Sequence, residues 1–406
     1  MTARSASRIW LRWALLNLFV AASLGVLLRF AFVQELLWLK FRYVLHAHSH
    51  TAMLGWAYPA LVALLVRSFL PDTTLHRAYS WLFWLGQVAV LGMLLSFPVQ
   101  GYGPVSIACS TLHMLVSYGF AWQFGRDLRQ APPGPARWTA RAALYWMVGA
   151  SLGLWAMGPV IVLGLQGSTT YYMAVQFFLH FQFNGWYLFA VLAVLLRYLE
   201  DRGWSAPPRA WRRVALAGVP ATLLTYALAL TWANPDDWLF WLNGLGVLLQ
   251  LLAFVLLWQT LRSAGSLLPR QGWAGVYGYL AGGSLLGKVL IQTAVVVPAV
   301  ATVAYTIRNL VVGFLHLILL GVLTHFIWAA GHHTGLLDLD DRRARWGMAL
   351  FTTGFVASEL VIFLQGTMFW GNRGFLPFYY EGLFAISLLM PLGVLAFAWA
   401  QWQSRT

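Results

Sequence analysis

Twelve apolar runs separated by short polar stretches are the feature of this sequence that most restricts its fold. Each run is near the ~20 residues that a helix needs to cross the hydrocarbon core of a bilayer. Their approximate bounds are 9–33, 43–66, 78–98, 103–125, 141–164, 171–197, 213–233, 238–261, 274–298, 304–330, 347–370 and 377–402. Backbone polar groups find no partners in lipid unless the chain is helical. The sequence therefore predicts an all-α polytopic membrane protein with about twelve transmembrane helices.

Charge and composition agree with this class. The 406 residues are 60% hydrophobic and 9% charged. The net charge of +14 does not indicate nucleic acid, because the basic residues are scattered between the apolar runs. Most of them fall on one side when both termini are cytoplasmic, as the positive-inside rule requires. We expect one membrane domain over residues 1–406 in a bacterial inner membrane, without a strong internal repeat and with the first run retained as a helix.

Histidines supply the main candidates for a functional site. The single cysteine, Cys109, excludes a thiolate cluster, so metal chemistry must use imidazole. Six histidines fall in one layer in the outer half of the bilayer: His46, His48, His50, His113, His180 and His316. Imidazoles in hydrocarbon are costly unless they are ligated or paired, so the layer indicates a metal or haem site. The alternative for each, and above all for His113, is a hydrogen bond across a helix interface.

The positions of the remaining histidines indicate other roles. His76, His332 and His333 lie beside charged residues at the predicted cytoplasmic ends, where a solvated loop role is favoured. His325 lies deeper than the layer and stays ambiguous.

The three histidines of HAHSH can point to two different neighbours of their helix. Successive residues of a helix turn by about 100°, so His46 and His50 share a face while His48 points nearly opposite. A haem iron takes an imidazole from each side, usually from two helices, and His316 is the best second ligand. Arg42 and Arg308 are the candidate partners of haem propionates, with interfacial snorkelling as the alternative.

Three motifs carry a family resemblance. FRYVLHAH, HFQFNGW and VGFLHLILLG resemble helices two, six and ten of haem-copper oxidase subunit I, most closely those of the nitric oxide reductase and cbb-type branch. The resemblance implies low-spin haem ligation by His46 and His316. It also implies a metal ligand at His180, where Asn184 replaces the usual carboxylate. Phe314 occupies the position of the high-spin haem ligand, and the paired histidines of the seventh helix are absent.

A second motif carries a competing resemblance. HSHTAMLGW is similar to the His-x-His and Gly-aromatic motif of NnrS, a haem- and copper-containing family linked to nitric oxide stress. The matching positions are His48, His50, Gly55 and Trp56.

The first resemblance implies a haem-containing membrane oxidoreductase or electron-transfer protein that handles nitric oxide or oxygen. The second implies the alternative of a non-catalytic haem or copper binding protein linked to nitric oxide stress. The expected cofactors are b-type haem and either copper or non-haem iron, the metal being held by His48, His50, His113 and His180. Lys288, Glu359 and Glu381 are the candidates for a proton path. The expected partners are the lipid bilayer, a quinol or cytochrome donor, a small gaseous substrate and additional subunits. The alternatives are a non-catalytic haem or copper binding protein and a metal-coupled or proton-coupled transporter.

Overall fold

Long helices make up most of the protein in the computed structural model, which describes residues 1–232, 235–268 and 271–403. These ranges contain no β-strand, and the structure is 82% helical. Twelve described helices are long and apolar enough to cross a membrane: α1 Ala3–Phe30, α2 Phe41–Phe69, α3 Arg77–Gln100, α4 Pro104–Gln130, α5 Pro135–Val162, α6 Thr169–Glu200, α7 Pro208–Thr231, α8 Asp237–Ala264, α9 Gly272–Ala294, α10 Arg308–His333, α11 Arg342–Trp370 and α12 Tyr379–Gln403. The predicted fold class is therefore confirmed. The cytoplasmic placement of the termini stays a prediction.

Local capping moves several helix ends away from the limits of the apolar runs. The helix α1 begins at Ala3 because the Thr2 hydroxyl accepts a hydrogen bond from the Ser5 N–H at 3.3 Å. Asp341 caps α11 in the same way. The helix α9 ends at Ala294, four residues before Pro298, which begins the short helix Pro298–Thr306. The last residue of the predicted span 213–233 lies outside the described residues.

The helices pack as two compact units. Unit 1 contains residues 1–124, 271–284 and 307–406, and unit 2 contains residues 125–270 and 285–306. The prediction of a single domain is not tested by this division.

Unit 1 is built around α1, α2, α10, α11 and α12. Its core contains the fully buried rings of Trp10, Trp328 and Phe397. Near the first residues of the chain the Arg4 N–H donates to Asp72 at 2.9 Å, and near the last described residue Arg343 donates to Gln403. The hydrogen bond from Arg4 lowers the pKa of the exposed Asp72 carboxyl.

Unit 2 is held by two close helix pairs. The helix α7 packs along α8, and a Cβ atom at Gly246 would lie 2.8 Å from the Thr225 nitrogen. The helix α5 packs along α6, where a Cβ atom at Gly185 would lie 2.7 Å from Cβ of Trp146. In both pairs a glycine permits the close approach of two backbones, as is common between membrane helices.

Three of the long helices change to π-helical geometry directly after a histidine. The histidines are His50, His180 and His316, and the segments are Thr51–Ala57 in α2, Phe181–Tyr187 in α6 and Leu317–Thr324 in α10. Such segments insert an extra residue into a turn and are frequent at functional sites. The π-helical segments therefore make the three helices whose motifs carry the family resemblance candidates for the functional site.

Candidate functional site

The histidine triplet of α2 faces two different neighbours. The rings of His46 and His50 lie on the side of Phe97 and Tyr102, with ring centroids 4.6 Å apart for His46 and Tyr102 and 4.5 Å apart for His50 and Phe97. His48 points to α1. The predicted division of the triplet between two faces of the helix is therefore confirmed.

A backbone carbonyl of α1 orients the His48 ring. Nδ1 of His48 lies 2.8 Å from the Ala21 oxygen, and because a carbonyl only accepts, this nitrogen carries the proton. A Cβ atom at Gly25 would lie 3.0 Å from Cε1 of His48, so the glycine makes room for the ring. The lone pair is then on Nε2. A protonated Nδ1 bonded to a carbonyl is the usual arrangement of a histidine that ligates metal through its other nitrogen.

His316 lies against a buried carboxylate of α11. Its Nδ1 is 3.3 Å from Oε1 of Glu359, a distance that permits an ion pair, but the direction of the ring N–H does not make a hydrogen bond. Glu359 is only 7% exposed, and neither of its oxygens has a hydrogen-bond partner among the described residues. Unsatisfied buried carboxylates are costly. These orphaned atoms favour a bound group at this position.

Arg29 completes this group of side chains. Its guanidinium donates to the Ser387 hydroxyl, and its charge interacts with Glu359 and His48. His48 and His316 are also close enough to interact electrostatically. We refer to Arg29, His48, His316 and Glu359 as the His48–His316 cluster. It draws on α1, α2, α10 and α11 of unit 1 and joins two imidazoles from two helices.

The basic residues predicted to bind propionates lie at the ends of the same helices. Arg42 and Arg308 are exposed at the starts of α2 and α10, about two helical turns from His48 and His316. The Arg308 guanidinium lies 5.3 Å from the ring centroid of Phe41, the neighbour of Arg42. Both arginines are thus placed at the same end of unit 1.

His113 is brought close to His50 and not to the His48–His316 cluster. It is 3% exposed, donates to the Leu54 carbonyl and interacts electrostatically with His50. Its ring lies 4.9 Å from that of Tyr58. Leu54 belongs to the π-helical segment of α2, so the irregular turn provides the carbonyl that His113 uses.

His180 lies in unit 2 with both ring nitrogens near polar atoms. Nε2 is 2.8 Å from the Thr222 carbonyl, and Nδ1 is 3.4 Å from the Asn184 amide nitrogen. The charge of Lys288 interacts with this imidazole. Lys288 is 2% exposed and donates to Gln292 one turn later. Within the described residues no carboxylate lies within ion-pair distance of Lys288.

Several other predicted residues have local structural roles or exposed positions. His325 is fully buried, with Nδ1 2.9 Å from the Gly321 carbonyl and Nε2 3.0 Å from the Thr352 hydroxyl. His76 caps α3 by accepting from the Ala78 N–H at 3.2 Å. Glu381, a candidate for the proton path, is exposed in the first turn of α12.

Among the residues that the structure describes, no three His, Cys, Asp or Glu side chains converge to hold a metal ion. A haem iron takes at most two protein ligands and does not need such a group. The carbonyl-bonded imidazole of His48 and the orphaned Glu359 carboxylate beside His316 are compatible with a haem.

Sequence reasoning missed a repeated spacing around the π-helical segments. His50, His180 and His316 are each followed by glycine after four residues, in HTAMLG, HFQFNG and HLILLG. These glycines pack closely against the preceding long helix, at Asn17 of α1, Trp146 of α5 and Ser284 of α9. The repeat recurs every four helices and was visible in the spacing, although the expectation was that no strong repeat exists.

No protein-family model matches the chain, and no curated protein matches it significantly.

Proposed function

We propose that the protein is a haem-containing integral membrane protein that transfers electrons or reduces a small gaseous molecule. The observation that carries this proposal is the buried Glu359 carboxylate, which lies 3.3 Å from Nδ1 of His316 without a hydrogen-bond partner among the described residues. The orientation of His48 by a backbone carbonyl supports ligation through its Nε2. The resemblance through His46 and His316 supports the same class, with the refinement that His48 is the triplet member that interacts with His316.

The residues of the chain would then have separate tasks. His48 and His316 would hold the haem iron, and Glu359 would accept a hydrogen bond from Nδ1 of His316 after a small rotation of either side chain. Arg29, Arg42 and Arg308 would bind propionates or balance their charge. The haem would supply one-electron chemistry.

The environment of His180 favours a protein without a second metal. Its Nε2 already donates to Thr222, and the amide of Asn184 stands where the resemblance expects a carboxylate. A transition metal there would have to displace a 2.8 Å hydrogen bond and would lack an anionic ligand. This observation argues against a complete haem-copper reductase and favours, as a second candidate, a non-catalytic haem-binding protein linked to nitric oxide stress.

The test is a reduced-minus-oxidised visible spectrum of the detergent-purified protein, with haem extraction and copper and iron analysis of the same sample. We expect sharp low-spin bands at about one haem per chain. They should be lost in His48→Ala and His316→Ala and retained in His325→Asn, a matched change of a buried histidine outside the His48–His316 cluster. Protein expressed with sufficient haem that contains none would refute the proposal. Retention of the low-spin bands by the His48→Ala, His316→Ala double variant would refute the assigned ligands.

A further inference from the structure

Three arginine side chains of unit 1 converge on the turn that follows α10. Arg8 of α1 donates through Nη2 to the Gly335 carbonyl at 2.8 Å, and Arg67 of α2 donates through Nε to the Thr334 carbonyl at 3.1 Å. Arg4, one turn before Arg8, lies over the same turn, since a Cβ atom at Gly335 would be 2.9 Å from its Nη2. We refer to Arg4, Arg8 and Arg67 as the arginine group.

The arginine group carries more positive charge than its surroundings neutralise. Asp72 is within electrostatic reach of Arg4 and Arg67, and it accepts a hydrogen bond from the Arg4 backbone N–H at 2.9 Å. Within the described residues no carboxylate lies within ion-pair distance of the three guanidiniums. Three guanidiniums and one nearby carboxylate leave an excess of two positive charges. The repulsion is strongest between Arg4 and Arg8, because residues four apart are neighbours on one face of a helix.

Capping explains only part of the arginine group. Cationic side chains that bond to carbonyls at the end of a helix stabilise that end, as Arg8 and Arg67 do after α10. These bonds occupy one of the five N–H donors of each guanidinium. Arg4 is different, because no hydrogen bond or ion pair of its guanidinium is found with the residues that the structure describes. It also lies in the first turn of α1, where the helix dipole favours negative charge.

The arginine group lies at the border of the membrane-spanning helices. Arg4 is in the first turn of α1, and Arg67 is in the last turn of α2. The start of α3 adjoins the start of α1, because the Leu75 N–H donates to the Met1 carbonyl at 3.0 Å. Trp81, in the second turn of α3, is 68% exposed. Tryptophan is enriched at the level of the lipid headgroups, so this end of unit 1 is placed where headgroups are available.

From these observations we propose that the arginine group binds the phosphate of one anionic phospholipid. Arginine forms paired hydrogen bonds with phosphate oxygens, so two or three guanidiniums can hold one phosphate diester. A zwitterionic headgroup would bring its own cation to a site with an excess of positive charge, and an anionic lipid is therefore favoured. Its acyl chains would lie on the apolar surface beside Arg8, where Ile9 is 37% exposed. The bound phosphate would offset the repulsion between Arg4 and Arg8 and connect α1 and α2 to the turn after α10.

The test is native mass spectrometry of the purified full chain in detergent, titrated with palmitoyl-oleoyl phosphatidylglycerol or with phosphatidylcholine of the same acyl chains. We expect one phosphatidylglycerol to bind per chain about ten times more tightly than phosphatidylcholine. Arg4→Gln removes a guanidinium without removing a hydrogen bond of the fold, so it should fold and should weaken phosphatidylglycerol binding about tenfold. Arg209→Gln is the matched control, because Arg209 is also exposed and lies in the first turn of a helix, α7 of unit 2. This variant should bind like the wild type.

Three results would overturn the inference. Equal loss of binding in Arg4→Gln and Arg209→Gln would mean that the lipid responds to the overall basic charge and not to the arginine group. Equal affinity for phosphatidylglycerol and phosphatidylcholine would exclude selection of an anionic headgroup. Displacement of phosphatidylglycerol by equimolar inorganic phosphate would identify a site for free phosphate instead of a lipid.

Discussion

Replacing Gly185 by alanine tests whether α5 and α6 approach as closely as the structure shows. The new Cβ atom would lie 2.7 Å from both Cβ and Cγ of Trp146, against an ordinary contact of about 3.4 Å or more. These Trp146 atoms are at the root of the side chain, and the ring is stacked on Phe181 at 5.3 Å, so no rotamer change relieves the contact. The helices must separate by roughly 0.7 Å, and overpacking of this kind costs about 1–3 kcal/mol.

A second glycine of the same helix pair provides the control for this overpacking cost. Gly149 lies on α5 one turn from Trp146, and a Cβ atom there has nothing within 4 Å. Alanine gains up to about 1 kcal/mol of helix propensity at either position. The free energy of unfolding should therefore differ by about 1–3 kcal/mol between Gly185→Ala and Gly149→Ala, with Gly185→Ala the less stable. The measurement is reversible unfolding in mixed micelles, followed by far-ultraviolet circular dichroism. Equal stability of the two variants would refute the close packing of α5 on α6.

Two further substitutions examine buried polar groups. His325→Leu leaves the Thr352 hydroxyl and the Gly321 carbonyl without their present partner, so it should lower the free energy of unfolding by about 1–3 kcal/mol without removing bound haem. Loss of haem in a folded His325→Leu sample would give His325 a role that its two hydrogen bonds do not suggest. Lys288→Met removes a buried ammonium whose hydrogen bond goes to an amide, Gln292, so we expect unchanged or higher stability, by up to about 3 kcal/mol in the same unfolding assay. Destabilisation by more than about 1 kcal/mol would contradict the view that this lysine is retained for function.

Hydropathy predicts the centres of the membrane helices but not their ends. For α2 the apolar run 43–66 lies within Phe41–Phe69, and for α6 the run 171–197 lies within Thr169–Glu200. The run 9–33 misses the first turns of α1, because Arg4 and Arg8 are polar while the Thr2 cap and a 2.8 Å bond from Arg8 to the Gly335 carbonyl keep them helical. The centre of a span follows from composition, whereas its end depends on individual hydrogen bonds.

The candidate site was partly predictable for a similar reason. The division of the triplet between two faces follows from the helical period and holds in the structure. The interaction of His48 with His316 does not follow from it, because it depends on the rotation and depth of two helices far apart in the chain. The partners of His325 likewise come from Gly321 in its own turn and Thr352 in the next helix.

The sequence by itself determined the class of protein and the number of membrane helices. Lipid offers no hydrogen bonds to the backbone, so long apolar runs have only one stable conformation. The tertiary structure decided which histidine lies beside a carboxylate and that this carboxylate stays without a hydrogen bond. These outcomes depend on the packing of side chains from different helices, at distances set by contacts such as Gly25 with His48. No local pattern of residues encodes them.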